Sequence, residues 1–297
     1  TPGTGYTQYT ATFTPAANAT GTATIGVDAG KFGNAAGTLN QDTYVAGQGS
    51  NTQVDNQVSV AYDTVVPTQT VSFGSMTKDS GVSSAATANK DWTTNDSSAG
   101  RLVSGFISAP LGSGEVVNVY ANGALVGTAS VAAGGTTWAI TDVNGYGSDA
   151  SWTYTAKVVD AAGNAAPVAT QVVNGDYTEA APVITAVTDS NNTSVANNGT
   201  TTRTLSSVSG TGAPGDTIYL YDNTSTNLVG TTTVSGTGTW TISGLASSNG
   251  VGAGSNTFSA KQVDAQGNQS AFSNLWTVTA TTPNLVLNGD FSNTSNF

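Results

Sequence analysis

The acidic side chains are the residues of this sequence whose type and number indicate chemistry beyond folding. The 297 residues include 18 acids, of which 16 are Asp and two are Glu, but no His and no Cys. Without these two types there is no Ser-His-Asp triad, cysteine nucleophile, His/Cys zinc site or disulfide. The remaining option is oxygen ligation, because Ca²⁺ takes about six to eight oxygen ligands from carboxylates and carbonyls. Asp is also a turn former, so composition alone leaves both interpretations open.

Nine residues are candidate calcium ligands because they lie in repeated turns or near predicted domain ends. Two of the turns share the pattern Asp-Ala-x-Gly-Asn, at 160–164 and 264–268. The candidates are Asp63, Asp79, Asp91, Asp96, Asp160, Asn164, Asp189, Asp264 and Asn268. The competing interpretation is a set of tight turns and a solvated acidic surface. Neither an EF-hand loop nor a GGxGxD nonapeptide is present to decide between them.

Charge and hydropathy exclude several classes of partner. The formal net charge is −11, whereas nucleic-acid binding depends on clustered Lys and Arg. No apolar run approaches the roughly 18–20 residues that span a bilayer, and the opening TPGTGYTQYT does not resemble a signal peptide. We therefore expect neither nucleic-acid binding nor membrane insertion by this segment.

Short alternating runs separated by Gly, Asn, Asp and Ser predict an all-β chain with antiparallel strands and almost no helix. An internal repeat indicates the size of the domains. VSG at 103–105 recurs at 208–210, LVGTASV at 125–131 recurs as LVGTTTV at 228–234, and TYTAKVVDAAGN at 153–164 recurs as TFSAKQVDAQGN at 257–268. A period of about 100 residues is the size of one β-sandwich. The matching Trp138 and Trp240 are expected in the cores of these sandwiches.

Proline-containing links mark the predicted domain boundaries at VVPTQTV (65–71), EAAPVIT (179–185) and TTPN (281–284). They predict the C-terminal part of a domain at 1–66, complete repeats at 67–180 and 181–282, and the stub of another β module at 283–297. The chain is then a segment of a longer tandem array.

These motifs resemble tandem bacterial Ig-like domains of giant repetitive surface adhesins, including the RTX type. The resemblance rests on the LVGT-type strands, the Trp that follows them, the Asp-Ala-x-Gly-Asn turn and the Pro-opened links such as YDTVVPT (62–68). It implies an elongated array of Ig-like antiparallel β-sandwiches, located outside the cell or on a bacterial surface. It also implies Ca²⁺ bound by acids near domain junctions, which would rigidify the string.

The predicted function is an extender that holds a binding tip away from the cell, with neighbouring domains of the same chain as its partners and no enzymatic activity. Two alternatives stay open. An S-layer, sheath or filament subunit would self-assemble through lateral surfaces. An accessory carbohydrate-binding array of a secreted hydrolase is kept open by the C-terminal NLVLNGDF, which faintly resembles a galactose-binding-like module.

Overall fold

The strands of this protein account for all of its regular structure in the described residues. A computed structural model describes residues 10–40, 57–80, 91–245 and 251–281, and these contain strands without a helix. In the N-terminal half the strands are β1 Thr20–Gly26, β2 Gln57–Asp63, β3 Val71–Met76, β4 Thr93–Thr94, β5 Arg101–Ile107, β6 Val116–Ala121, β7 Ala124–Thr128, β8 Ser130–Val131, β9 Thr137–Asp142 and β10 Ser151–Val159. They continue as β11 Ala169–Gly175, β12 Val183–Asp189, β13 Ser194–Val195, β14 Gly199–Thr201, β15 Leu205–Thr211, β16 Thr217–Asp222, β17 Leu228–Thr233, β18 Thr239–Ser243, β19 Gly254–Val263 and β20 Trp276–Ala280.

The second repeat is built from two sheets, with strand orders β13-β12-β15-β18 and β14-β20-β19-β16-β17. Apolar side chains at alternate positions of both sheets form its core, which includes the fully buried Val187, Val208, Ile218, Phe258 and Val278. This period-two burial is the pattern of strands with one face turned inward. The prediction of an all-β, Ig-like sandwich is confirmed.

The first repeat has the same plan, with strand orders β3-β5-β9-β8 and β4-β11-β10-β6-β7. Each repeat contains a parallel pair, β4 with β11 and β14 with β20, which departs from the expectation of antiparallel strands throughout. The predicted single strand at 125–131 is divided, since β7 and β8 belong to different sheets. The break between the two strands falls at Ala129, two residues after Gly127, whose φ is +154°.

The N-terminal segment contributes an antiparallel strand pair, in which β1 pairs with β2 from Thr20↔Asp63 to Gly26↔Gln57. The run YTATF at 9–13 has the alternating pattern of a strand, but its described residues 10–13 form none. The stub predicted at 283–297 lies outside the described residues. In the described part of the chain no helix is long and apolar enough to cross a membrane.

The chain divides into two compact units, and the division runs through the first repeat. One unit comprises Thr1–Phe73, Ser104–Ile140 and Tyr154–Gln171, and the other comprises Gly74–Val103, Thr141–Thr153 and Val172–Phe297. The link at 65–71 therefore lies inside the first unit, and the link at 179–185 lies inside the second. The boundaries at 66/67 and 180/181 stay predictions.

The repeated VSG motif is explained by packing against the repeated Trp. An added Cβ at Gly105 would lie 2.0 Å from the Ser72 carbonyl oxygen and 2.6 Å from Cζ2 of Trp138. At Gly210 the corresponding distances, to the Val183 oxygen and Cζ2 of Trp240, are 2.0 and 2.5 Å. Trp138 and Trp240 are 1% and 3% exposed, which places both in the core as predicted.

Candidate interdomain cation site

The two Asp-Ala-x-Gly-Asn turns are closed by their own Asp side chains. Oδ1 of Asp160 accepts the backbone N–H groups of Ala162 and Asn164 at 2.9 Å each, and Oδ2 accepts Nδ2 of Asn164 at 2.8 Å. The bond from the Asn164 side chain is the main reason that the pKa of Asp160 lies below its usual value. Asp264 and Asn268 repeat this geometry, with Nδ2 of Asn268 2.7 Å from Oδ2 of Asp264. These four residues therefore form turns, as in the competing interpretation.

The same turns also reach the preceding segment of the chain. Nδ2 of Asn164 donates a second hydrogen bond to the carbonyl oxygen of Asp63 at 3.1 Å, at the end of β2. Nδ2 of Asn268 donates to the carbonyl oxygen of Asp176 at 2.8 Å, directly after β11. We call these two places the first junction and the second junction, and the bonds the amide latch. At each junction the latch joins a turn to the strand end that precedes a Pro link.

The second junction also contains a buried carboxylate with an unpartnered oxygen. Asp216 directly precedes β16, is 9% exposed, and its Oδ2 accepts no hydrogen bond. Its acidic neighbours are Glu179 of the link, Asp264 of the turn and Asp176. Gln262, which is 1% exposed, donates from Nε2 to Oε1 of Glu179 and so holds that carboxylate in place. The side-chain amides that donate hydrogen bonds at this junction, from Gln262 and Asn268, are neutral and leave the negative charge of the acids uncompensated.

The pKa values show the cost of this arrangement. Burial, followed by the charges of Glu179 and Asp264, raises the pKa of Asp216 to about 6. Burial and then Asp264, Asp149 and Glu179 raise the pKa of Asp176. Burial and like charge both disfavour the ionised form, so a bound divalent cation would relieve the repulsion.

The first junction satisfies its half-buried acid without a second carboxylate. Glu115 follows Gly114 and precedes β6, as Asp216 follows Gly215 and precedes β16. Oε2 of Glu115 accepts Nε2 of Gln69 at 2.5 Å and the backbone N–H of Gly112 at 2.6 Å. Gln69 is 8% exposed, and its Oε1 has no hydrogen-bond partner. A neutral amide therefore stands against Glu115, whereas Glu179 stands against Asp216.

Three further candidate ligands, Asp63, Asp96 and Asp189, are held by local bonds. Oδ1 of Asp63 accepts Thr20 Oγ1 at 2.9 Å and the Val65 N–H at 3.0 Å. Asp96 accepts the N–H and the hydroxyl of Ser98 and pairs with Lys78 at 3.4 Å. The Ser98 bonds come first among the causes that lower its pKa.

Asp189 is likewise engaged within its own repeat. Its Oδ1 accepts the N–H groups of Asn191 and Thr193, and its Oδ2 accepts Thr201 Oγ1 at 3.0 Å. Burial opposes ionisation of this carboxyl, but the bonds outweigh it, so the pKa lies below its usual value. The contacts are those of an Asx turn rather than of an open ligand set.

Asp79 and Asp91 are brought together. Asp79 is 8% exposed, and burial and then Asp91 raise its pKa to about 7. The carboxylate of Asp91 accepts the Thr93 N–H at 3.0 Å. The two residues flank positions 81–90, which lie outside the described residues.

Sequence reasoning missed Asp176, Glu179 and Asp216. Two signals point to them: both Glu residues of this Asp-rich chain lie at a junction, and Asp216 occupies the repeat position of Glu115. In the described residues no group of three or more acidic side chains lies close enough together to hold a metal ion.

The chain matches no protein-family model and no curated protein. Among solved structures, it is 22% identical to a 1.5-MDa bacterial ice-binding adhesin described for its retention on the host cell surface, with a TM-score of 0.42 over 88% of this chain and 73% of that chain. A Ca²⁺-stabilised adhesin with which an Antarctic bacterium binds ice is 21% identical, with a TM-score of 0.40 over 78% and 55%. A tetra-tandem repeat from the extending region of a large adhesion protein is 22% identical, with a TM-score of 0.30 over 88% and 57%.

This chain spans little more than half the length of the second and third of these structures. At such identities and TM-scores the function has to be argued from the contacts of the chain itself.

Proposed function

We propose that this protein is an extender segment of a bacterial cell-surface or secreted adhesin, which holds a binding tip away from the cell. The observation that carries the proposal is the amide latch, which recurs with the same donor, acceptor and turn at two successive junctions. A spacer needs each domain to be held to the one before it, and a repeated junction bond meets that need. A catalytic site gains nothing from such repetition, so we expect no enzymatic activity.

The proposal includes Ca²⁺ at the second junction. Asp216 and Glu179 would hold the ion, with Asp176 and Asp264 as the further carboxylates and water completing the shell. Bound there, Ca²⁺ supplies positive charge that converts repulsion between carboxylates into attraction. The residues of the chain do the rest, since Gln262 orients Glu179 and Asn268 keeps the turn of Asp264 against Asp176. Asp63, Asp96, Asp160 and Asp189, whose oxygens are engaged by nearby donors, act as turn formers in this proposal.

Solution scattering and light scattering on the 1–297 chain test the extender role, with 1 mM EDTA and with 5 mM CaCl₂. We expect a monomer in both buffers and a longer maximum dimension with calcium, because a clamped junction bends less. Ordered lateral assemblies would instead support the lattice or filament alternative. Saturable binding on a glycan array would support the carbohydrate-binding alternative. Either result would contradict the proposal, and so would a monomer whose maximum dimension is the same with and without calcium.

A further inference from the structure

The two junctions share the amide latch but differ in the groups that face the acid before the next strand. At the first junction this acid is Glu115, and the side chain against it is the amide of Gln69. At the second junction it is Asp216, and the side chain against it is the carboxylate of Glu179. Glu115 and Asp216 occupy equivalent positions before β6 and β16, and the side chains against them come from the two Pro links, so the difference can be tested one substitution at a time.

Charge and hydrogen bonding separate the two sites. Oε2 of Glu115 accepts two hydrogen bonds, from Gln69 and Gly112, which stabilise a single ionised carboxylate. Oδ2 of Asp216 accepts none, and the Asp216 carboxyl lies within hydrogen-bonding reach of Glu179, whose other partner Gln262 is a neutral amide. A divalent cation gains much more from two adjacent carboxylates than from one that donors already satisfy.

We infer that the junctions are specialised, with the second junction dependent on calcium and the first held without metal by Gln69 acting as a neutral substitute for the ion. This inference rests on the proposed calcium site at the second junction. It makes Gln69 and Glu179 the residues that determine which junction responds to calcium. The array then contains a permanent joint, and next to it a joint whose stiffness follows the calcium concentration outside the cell.

The unpartnered Oε1 of Gln69 suggests how to convert the first junction. Oε1 is a buried neutral oxygen without a hydrogen-bond partner, and its amide adjoins Glu115. Gln69→Glu gives this position a carboxylate of nearly the same shape and removes the donor to Glu115. Two carboxylates then face each other without a neutralising group, as Glu179 and Asp216 do.

Isothermal titration of the 1–297 chain with CaCl₂ counts the ions bound, and five proteins decide the question. Relative to wild type, we expect one ion fewer for Asp216→Asn, one more for Gln69→Glu, and an unchanged count for Glu115→Gln. The double variant Gln69→Glu/Glu115→Gln is the matched control. It again combines one carboxylate with one amide, so its count should equal that of wild type.

The outcomes separate this inference from the calcium proposal on which it rests. An unchanged count for Asp216→Asn refutes calcium binding at the second junction. A lower count for Glu115→Gln refutes the inference alone, because the first junction would then bind the ion already. An unchanged count for a folded Gln69→Glu protein also overturns it. If that variant does not fold, Glu115→Gln by itself still decides.

Discussion

The sharpest prediction concerns Asp216→Asn, whose effect on stability should change sign with calcium. In the folded protein the pKa of Asp216 is raised from 3.8 to about 6. Each pKa unit corresponds to about 1.36 kcal/mol, so ionised Asp216 destabilises the metal-free fold by at most about 3 kcal/mol. Because folding raises the pKa of Asp216, its contribution to the free energy of unfolding is fully present below pH 3.8. This contribution is lost as the pH rises through about 6 and the buried carboxyl ionises.

The substitution removes this charge and gives Glu179 a donor in its place. In EDTA at pH 8 we therefore expect the Asp216→Asn variant to be more stable than wild type by about 1–3 kcal/mol. A change of 1 kcal/mol moves Tm by about 2–4 °C for 150–250 residues. At pH 5 the difference should shrink, because Asp216 is then largely protonated in the wild-type protein.

Calcium should reverse the order. An ion that binds only the folded wild type adds about 4.1 kcal/mol at a thousandfold excess over Kd, which exceeds the advantage of the variant in EDTA, whereas the variant has lost a principal ligand. The assay is thermal unfolding followed by tryptophan fluorescence, because Trp240 and Trp276 belong to the second repeat. The variant should melt higher in EDTA and lower in 5 mM CaCl₂.

Asp222→Asn is the matched control. Asp222 is fully buried in the same sandwich, burial raises its pKa to about 6, and no acidic neighbour contributes to that shift. It accepts the Thr257 N–H at 2.8 Å, so its loss should have the same effect with and without calcium. The reasoning is refuted if Asp216→Asn lowers Tm in EDTA at pH 8, or if calcium raises both Tm values equally.

Three further predictions test the packing and the latch. Gly210→Ala should destabilise the second repeat by about 3 kcal/mol or more in urea unfolding, because its Cβ meets a strand carbonyl at 2.0 Å, whereas Gly236→Ala, with nothing within 4 Å, should be nearly neutral. Asn268→Ala should cost about 1–2 kcal/mol in thermal unfolding and speed protease cleavage near the second junction, since a latch hydrogen bond and a turn bond are both lost. Asn164→Ala should do the same at the first junction, with a Tm difference that calcium leaves unchanged.

Much of the fold could be predicted from the sequence because it depends on local patterns. Alternating side chains and turn residues predicted strands, and near-identical segments predicted two copies of one sandwich. The Asp-Ala-x-Gly-Asn turns were also predictable in their chemistry. Gly163 and Gly267 adopt φ values of +92° and +90°, and each Asp bonds the backbone two and four residues ahead. These bonds join neighbours in the chain, so adjacent residue types suffice to predict them.

The grouping of the acids across a junction could not be predicted in this way. Asp176 and Asn268 are separated by 92 residues, and Glu179 and Gln262 by 83. The rarity of Glu and the repeat position of Asp216 mark single residues, but they do not show that these acids meet, whereas Asp189 has its oxygens engaged nearby. The sequence determined which residues carry charge and which turns they close. Only the tertiary structure decided which charges are buried together, because a pKa depends on the burial and neighbours that distant strands impose.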